Sequence, residues 1–531
     1  MFIDARTVDE NVDIETDLCV IGGGAGGISL AREFMNGPVR VCLLESGGLK
    51  AERETQSLYE GESVGIPYEL DTTRSRYFGG STNCWGGFSR PFQPIHFTKR
   101  PWVPYSGWPF TFEELAPYYD RAHAVCGLPI GKYDPDVWVR ELNGANLKIL
   151  PFPNHQIVTR MIQTNKERRR FGRVFREELQ ASDNISVYLY ANVVDIQADE
   201  LDGKIKRVRV ACLDGRRFWV SAKVFVLAAG GIENARLLLT SNTSAPRGLA
   251  NDYDLVGRFF MEHATFPSGT ITFTDPEASP DIHDTKYAVV RLPVAAQIEL
   301  DEETQRREQI LDSATFIESV FKGEQCAGTE VLKTFYKDAR SGFVPKNLTK
   351  GIGEMLLDAH NVTAFALGYL SRSRHLLHHY QIMTLIEPAP NPDSRVMLSH
   401  HRDQLGMNKV CLDWRLTPLD QHTVRRTIEI FRDKAAAANI GEIRIDLPLH
   451  SNHEVNELHW VWHHMGTTRM HVDPKQGVVN EHCRAHGIGN LFVAGSSVFP
   501  TAGNNTPTMT IIALALRLSD HLKGVFAERR F

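Results

Sequence analysis

Residues 17–27 read DLCVIGGGAGG, and this stretch decides the fold of the chain. The apolar run over residues 17–21 predicts a buried strand, and the glycines after it lead into a helical pattern that continues to Phe34. A second apolar run, residues 39–44, ends at Glu45. Strand, glycine turn, helix, strand and acid follow one another in the order of a dinucleotide-binding unit.

The glycine turn indicates the chemistry of this unit. Gly22, Gly24 and Gly27 have the spacing GxGxxG, which lets backbone approach a pyrophosphate at a helix N-terminus. The carboxylate of Glu45 is placed to accept hydrogen bonds from a ribose diol. A turn kept only for tight packing would leave Glu45 unexplained. The unit predicts a dinucleotide cofactor, but the glycine pattern alone does not distinguish FAD from NAD.

Three further segments are predicted to belong to the same cofactor-binding domain. Residues 185–196 alternate like a pair of strands, residues 223–228 predict a buried strand, and residues 490–493 predict a strand before a helix near 507–522. The cofactor-binding domain is therefore predicted to be discontinuous. We assign residues 1–90, 185–265 and 455–531 to this domain, and residues 91–184 and 266–454 to a second, substrate-binding domain that covers the cofactor.

Composition excludes several classes of protein. The chain has 531 residues, of which 42% are hydrophobic and 23% charged, and these fractions exclude wholesale disorder. Its formal charge of -5 gives no general attraction to nucleic acid. No window reaches the ~18 consecutive apolar residues of a membrane helix. We expect a small-molecule partner, no nucleic acid and no membrane span.

The cysteines indicate the compartment. Eight are spread along the chain, and no two form a CxxC pair, which excludes zinc-ribbon and iron–sulfur sites. Unpaired spacing of this kind is typical of reduced thiols. The first residues contain no basic region followed by an apolar stretch. We therefore expect a cytoplasmic protein.

Four motifs in this order resemble the glucose–methanol–choline (GMC) flavin oxidoreductases. They are the Gly22 to Glu45 unit, residues 78–87 (FGGSTNCWGG), residues 228–236 (AAGGIENAR), and residues 463–470 (HHMGTTRM) with the segment after them. Residues 107–119 resemble the branch that contains pyranose 2-oxidase and the fructose, gluconate and glucoside 3-dehydrogenases. The resemblance implies a mixed α/β fold, with a Rossmann-like FAD-binding domain and a substrate domain built on a large antiparallel sheet flanked by helices.

The resemblance also implies that the cofactor is FAD. The residues expected to bind it are Gly22, Gly24, Ala25, Gly26, Gly27, Glu45, Ser46, Gly79, Gly80, Asn83, Cys84, Trp85, Gly86, Gly87, Val193, Ala229, Gly495, Ser496, Thr506, Pro507 and Thr508. Pyranose 2-oxidase carries its flavin on a histidine immediately before the tryptophan, where this chain has Cys84. We expect non-covalent FAD. A cysteinyl link is the alternative, although a buried cysteine ordinarily serves as a small apolar side chain.

Alcohol oxidation requires a base for the hydroxyl proton, and neutral imidazole titrates near pH ~6.5. The resemblance places the family's catalytic histidine at His463. His464 would face elsewhere if the segment is extended. A metal site formed with His459 would need a helix that the intervening tryptophans do not favour. The other histidine clusters are interpreted as structural or surface residues: His375, His378, His379, His400 and His401.

Members of the family pair this base with a second histidine or an asparagine just before a proline. Here the segment reads Asn504-Asn505-Thr506-Pro507, so Thr506 stands in the partner's place. A threonine hydroxyl has neither the reach of an amide nor the basicity of an imidazole. Either His463 acts alone beside Thr506, or Asn505 takes the partner's role. We expect Thr506 at the flavin and Asn505 supporting the loop.

These observations predict an FAD-dependent oxidoreductase that oxidises a hydroxyl of a sugar, glycoside, polyol or amino sugar to a carbonyl. Its electron acceptor is expected to be oxygen or another acceptor. Two alternatives stay open. The same fold could support a lyase or isomerase reaction without net oxidation, or the chain could be a non-catalytic FAD-binding subunit.

Overall fold

A computed structural model describes residues 1–142, 148–152, 156–165, 169–199, 203–243, 245–275, 278, 280–340, 345, 347–447 and 458–531. The strands within these residues are β1 (Phe2–Asp4), β2 (Asp13–Ile21), β3 (Val41–Leu44), β4 (Gly61–Ser63), β5 (Phe88–Ser89), β6 (Ile157–Thr164), β7 (Ile185–Leu189), β8 (Asn192–Asp199), β9 (Lys204–Ala211), β10 (Arg217–Leu227), β11 (Ala264–Phe273), β12 (Val294–Leu300), β13 (Ser313–Phe321), β14 (Leu377–Ile386), β15 (Arg395–Arg402), β16 (Asn408–Asp413), β17 (Gly441–Ile445), β18 (His459–Trp460) and β19 (Leu491–Val493). The α-helices are α1 (Ala25–Arg32), α2 (Arg53–Ser57), α3 (Pro94–Phe97), α4 (Phe112–Cys126), α5 (Pro135–Glu141), α6 (Phe171–Val174), α7 (Arg176–Ala181), α8 (Glu233–Thr240), α9 (Thr285–Arg291), α10 (Glu302–Glu308), α11 (Ala327–Arg340), α12 (Leu348–Leu357), α13 (Ala359–Ser371), α14 (Pro418–Ala437) and α15 (Thr508–Ala527).

The first sheet has a parallel centre. Its strand order is β1-β7-β3-β2-β10-β9-β8, and β19 pairs with β10. The neighbours from β1 to β10 are parallel, as is β19, whereas β8 and β9 are antiparallel additions. All of β3 and the ends of β2 and β10 are buried, as continuous apolar runs in a sheet covered on both faces predict.

This sheet combines strands from distant parts of the chain, namely residues 2–44, 185–227 and 491–493. The exact domain boundaries stay a prediction. The boundary predicted between residues 454 and 455 lies outside the described residues.

The second sheet is antiparallel throughout, in the order β17-β11-β14-β13-β12-β6-β5, with β18 on β11. Helix α14 packs on it, and Ile428 and Phe431 of the helix share one apolar core with Ile271, Ile317 and Ile382 of the strands. A third, small sheet contains β15, β16 and β4. The predicted fold class is confirmed: mixed α/β, with a Rossmann-like sheet and a large antiparallel sheet flanked by helices.

Helix α15 follows the loop that ends at Pro507. Its buried face includes Met509, Ile512, Leu516 and Leu522, and it packs against α1 and α4. The start of α15 is thereby held next to the glycine turn at the start of α1. No helix in the described part of the chain is both long and apolar enough to cross a membrane.

Candidate active site

A cavity of about 590 Å³ opens where the central parallel strands end. Three of these ends line it: Gly22 after β2, Ala228 to Gly231 after β10, and Ala494 to Ser496 after β19. Ligands in open α/β sheets bind at this carboxyl edge. The volume lies within the usual range of small-molecule sites, roughly 300–1,000 Å³.

The glycine turn forms one wall of the cavity. Gly24 precedes α1, and a methyl group built on it would meet nothing within 4 Å, because this position faces open space. By contrast, a methyl group on Gly27 would lie 1.9 Å from the carbonyl oxygen of Gly22. Gly24 therefore leaves room for a ligand at the helix N-terminus, whereas Gly27 allows the helix to pack closely on the strand.

Glu45 lies at the end of β3 and is 5% exposed. It accepts the backbone N–H groups of Gly23 and Gly47, at 2.9 and 2.8 Å, and the Ser46 hydroxyl at 3.2 Å. Burial raises the pKa of Glu45, although these donors lower it. A carboxylate offers about four acceptor sites, so Glu45 retains capacity for a ribose hydroxyl.

The segment from Gly79 to Gly87 forms another part of the wall. Gly79 and Gly80 have positive φ angles of 101° and 53°, conformations that favour glycine. Asn83 donates its amide to the carbonyl of Phe78 at 2.8 Å and so supports the turn. The sulfur of Cys84 lies 3.1 Å from the Ser75 hydroxyl. All eight cysteines lie in the described residues, and none forms a disulfide there.

The structure brings most of the expected residues to one cavity. Those that line it are Gly22, Gly24, Ala25, Gly26, Glu45, Ser46, Gly80, Cys84, Trp85, Gly86, Gly87, Val193, Ala229, His463, Gly495, Ser496, Thr506, Pro507 and Thr508. Four others lie behind the wall and support it: Gly27, Gly79, Asn83 and Asn505.

His463 lies in the segment after β18 and lines the cavity. Its Nδ1 lies 2.9 Å from Nδ1 of His263, which directly precedes β11. In the described part of the chain, no hydrogen bond joins Nε2 of His463 to another residue. Burial and the neighbouring histidines hold the pKa of His463 well below its ordinary value of 6.5. Its imidazole is therefore neutral at physiological pH and able to accept a proton.

His464 also touches the cavity but has a different environment. Its Nε2 lies 2.7 Å from the Tyr68 hydroxyl, and its ring stacks on Phe260 at 6.1 Å between centroids. Burial lowers the pKa of His464 to about 3. The single proton of Tyr68 has a second partner, Glu262, at 2.5 Å. His464 thus forms part of a buried hydrogen-bond network.

The loop before α15 places its two candidate partners differently. The hydroxyl of Thr506 donates to the carbonyl of Phe88 at 2.8 Å while the side chain lines the cavity. The amide of Asn505 is wholly buried and donates to the carbonyl of Pro91 at 3.1 Å. Because its proton is used on Phe88, Thr506 has acceptor capacity for a ligand but no second proton to donate.

Sequence reasoning did not identify a buried basic cluster beside the cavity. Arg74 and Arg76 line it and lie over the ring of Tyr59, at 3.9 and 4.6 Å. Burial alone would raise the pKa of Glu233, but the charges of Arg236, Arg74 and Arg76 lower it to about 2. Glu233 and Asp403 pair with the three arginines, so the cluster carries an excess of one positive charge. Two arginines close together in the segment Arg74-Ser75-Arg76 were the available signal.

Sequence reasoning also missed Glu262 and His263. Both are wholly buried, and both contact the segment around His463. The signal was a charged and an ionisable residue within the otherwise apolar run of residues 259–264. Among the described residues, no group of three or more His, Cys, Asp or Glu side chains could hold a metal ion.

Residues 390–515 match a family model described as GMC oxidoreductase. The 6'''-hydroxyparomomycin C oxidase of Streptomyces lividus is 27% identical over 97% of this chain and 92% of its own length. The fructose dehydrogenase large subunit of Gluconobacter japonicus is 24% identical over 96% of this chain and 98% of its own length.

Solved structures share the fold. A variant of formate oxidase from Aspergillus oryzae RIB40, studied for FAD modification, has a TM-score of 0.58 and 16% identity, covering 98% of this chain and all of its own. Pyridoxine 4-oxidase from Mesorbium loti has a TM-score of 0.58 at 16% identity, covering 96% of this chain and 99% of its own. At this identity the likeness concerns the fold.

Proposed function

The resemblance of the chain to GMC oxidoreductases is confirmed, and from this premise we propose that the protein is an FAD-dependent enzyme that oxidises a hydroxyl group to a carbonyl. One observation carries the proposal. The open glycine turn and the neutral imidazole of His463 line the same cavity. A bound dinucleotide and a base for the hydroxyl proton could therefore act on the same substrate.

The residues of the cavity fit FAD. Gly24 leaves the helix N-terminus open for the pyrophosphate, and Glu45 retains acceptor capacity for the ribose. Arg74 and Arg76 line this side, and the excess of one positive charge in their ion-pair cluster favours an anionic cofactor. Bound FAD would supply the acceptor for the hydride that leaves the substrate carbon.

His463 acts as the base in this proposal. Its Nε2 accepts the hydroxyl proton of the substrate, and the oxygen and carbon then form the carbonyl as the hydride leaves. The low pKa of His463 keeps Nε2 unprotonated before the reaction. Thr506 lines the same cavity and offers an acceptor for another substrate hydroxyl.

We propose that FAD is bound without a covalent link, since Cys84 replaces the histidine to which flavin is attached in pyranose 2-oxidase. The thiol lies against the Ser75 hydroxyl. We also propose a cytoplasmic location, because a chain with eight cysteines and no disulfide in its described residues is typical of a reducing compartment. The electron acceptor is oxygen or another acceptor.

The proposed substrate is a sugar, glycoside, polyol or amino sugar. The names of two relatives, 6'''-hydroxyparomomycin C oxidase and the fructose dehydrogenase large subunit, support this class. The cavity that His463 lines is also lined by Trp85, Phe88 and Leu385. Their apolar surfaces would pack against the C–H faces of a sugar ring, while His463 and Thr506 take the hydroxyl groups.

Anaerobic mixing of the purified holoenzyme with a panel of sugars, glycosides, polyols and aminoglycosides tests the function. A substrate should bleach the absorbance of the oxidised flavin and release a carbonyl product. Product formation without bleaching would indicate a lyase or isomerase. Absence of both with every alcohol would leave the chain a non-catalytic FAD-binding protein and contradict the proposal.

A further inference from the structure

We propose that His263 is a positioning residue that fixes the tautomer of His463, so that its Nε2 carries a lone pair toward the cavity. The inference deepens the proposed function and rests on it. It follows from a chain of three groups: the Gly503 carbonyl, the imidazole of His263 and the imidazole of His463. Each group determines where the next one carries its proton.

The chain begins at Gly503. Nε2 of His263 lies 2.6 Å from the carbonyl oxygen of Gly503. A carbonyl oxygen only accepts, so Nε2 of His263 must carry the hydrogen. The backbone N–H of Gly503 donates to the carboxylate of Glu387 at 3.2 Å. Arg100 donates to both oxygens of the same carboxylate, at 2.5 and 2.7 Å. The acceptor for His263 is therefore held in place by a buried ion pair.

His263 has only one proton to give. It is wholly buried, and burial lowers its pKa to about 4, so its imidazole is neutral at physiological pH. A neutral imidazole with a hydrogen on Nε2 has a lone pair on Nδ1. Nδ1 of His263 therefore acts as an acceptor.

The same reasoning assigns the proton of His463. Its Nδ1 lies 2.9 Å from the acceptor Nδ1 of His263 and must carry a hydrogen to form this bond. Neutral His463 then has its lone pair on Nε2, the nitrogen with no hydrogen bond to another described residue. When Nε2 takes a proton, the Nδ1–H remains on His463 and its bond to the neutral His263 stabilises the cation.

The backbone supports this alignment. Met261 pairs with Met465 in an antiparallel bridge, and the carboxylate of Glu262 accepts the backbone N–H of His463. These contacts fix the position of His463, and His263 fixes its protonation. Positioning of this kind differs from a proton relay, because the Gly503 carbonyl at the end of the chain has no proton to exchange.

Neutron diffraction on the perdeuterated, oxidised holoenzyme tests the assignment without any turnover. We expect a deuteron on Nδ1 of His463 and on Nε2 of His263, and none on Nε2 of His463. A deuteron on Nε2 of His463 would overturn the inference. A correct tautomer combined with full activity of His463→Ala would instead refute the proposed function and leave the tautomer assignment intact.

Two isosteric variants test the consequence for the reaction. His263→Asn keeps an acceptor near the position of Nδ1, whereas His263→Leu has the same shape without one, and both lose the bond to Gly503. We expect His263→Leu to slow anaerobic flavin reduction about three- to tenfold, because the bond to His463 is roughly twice as strong in the cation as in the neutral ring and only this difference affects the rate; FAD content and substrate Kd should be unchanged. His263→Asn should recover much of the rate. Equal losses in both variants, or no loss in His263→Leu, would contradict the role.

Discussion

The carboxylate of Glu262 accepts the backbone N–H of His463 through both oxygens, at 2.9 and 3.0 Å. It also accepts the Tyr68 hydroxyl and is wholly buried. Burial raises the pKa of Glu262 to about 7, although its hydrogen-bond donors lower it. A buried acid that titrates near neutrality therefore holds the backbone of the proposed base.

We expect the protonation of Glu262 to contribute to the pH dependence of stability. Its pKa in the folded protein lies above its ordinary value of 4.5, so folding takes up a proton between these values. This contribution is present below pH ~4.5 and is lost as pH rises through ~7. The free energy of unfolding, measured by heat or urea, should fall more steeply with pH in the wild type than in Glu262→Gln. The difference in slope should reach up to ~1.4 kcal/mol per pH unit in this window. Parallel pH profiles would count against this assignment.

Acid or heat denaturation should release the yellow chromophore into the supernatant, because no histidine stands at position 84. Cys84→Ser provides the matched control, since a hydroxyl keeps the size of the side chain and excludes a thioether. Both proteins should release all of their flavin. Flavin that stays with precipitated wild type but leaves Cys84→Ser would reveal a cysteinyl link.

Gly24→Val should fold normally and purify with less FAD, because its side chain would enter the open space at the start of α1. Gly353→Ala is the control, since a methyl group there also meets nothing within 4 Å but lies away from the cavity. The flavin-to-protein absorbance ratio and the far-UV circular dichroism measure the two properties. Full occupancy in Gly24→Val would place the pyrophosphate elsewhere.

His463→Ala should slow anaerobic flavin reduction by roughly two to four orders of magnitude, the usual contribution of a positioned base, while FAD remains bound. His464→Gln should cost less than about tenfold, because His464 bonds to Tyr68. Since the pKa of His463 lies well below 6.5, the titration of His463 itself should contribute no pH dependence to the wild-type rate above that value. A larger loss in His464→Gln would reverse the assignment of the base.

Thr506→Val keeps the shape of the side chain and removes its hydroxyl. We expect a three- to tenfold loss in flavin reduction, about 0.5–1.5 kcal/mol, from the lost acceptor and the lost bond to Phe88. Asn505→Ala should cost little in rate but lower the melting temperature, because the Asn505 amide is buried against Pro91. Collapse of turnover in Asn505→Ala alone would give Asn505 the partner's role.

The central sheet was predictable because its signals are local. Apolar runs over residues 17–21 and 39–44 favour strands at any location, and the glycines between them restrict the turn. The placement of His463 followed from a short motif with a fixed offset. Such features depend only on neighbours within a few residues, which can be read directly from the sequence.

The environment of His463 was not predictable in the same way. His263 reaches it from 200 residues away, and Tyr68 reaches His464 from 396 residues away. The local pattern of residues 259–264 does not indicate which distant groups the Glu262 and His263 side chains contact. These contacts depend on the pairing of β11 with β18, which places the two segments side by side.

The assembly of the first sheet has a consequence for biosynthesis. The cavity is lined by the ends of β2, β10 and β19, so its floor stays incomplete until residues 491–493 have left the ribosome, and α15 packs on α1 only after them. Pairings of such long sequence separation form slowly. The nascent chain therefore exposes the apolar edge of β10 while residues 228–490 are synthesised. During this period chaperones have surface to bind and the cofactor has no completed site.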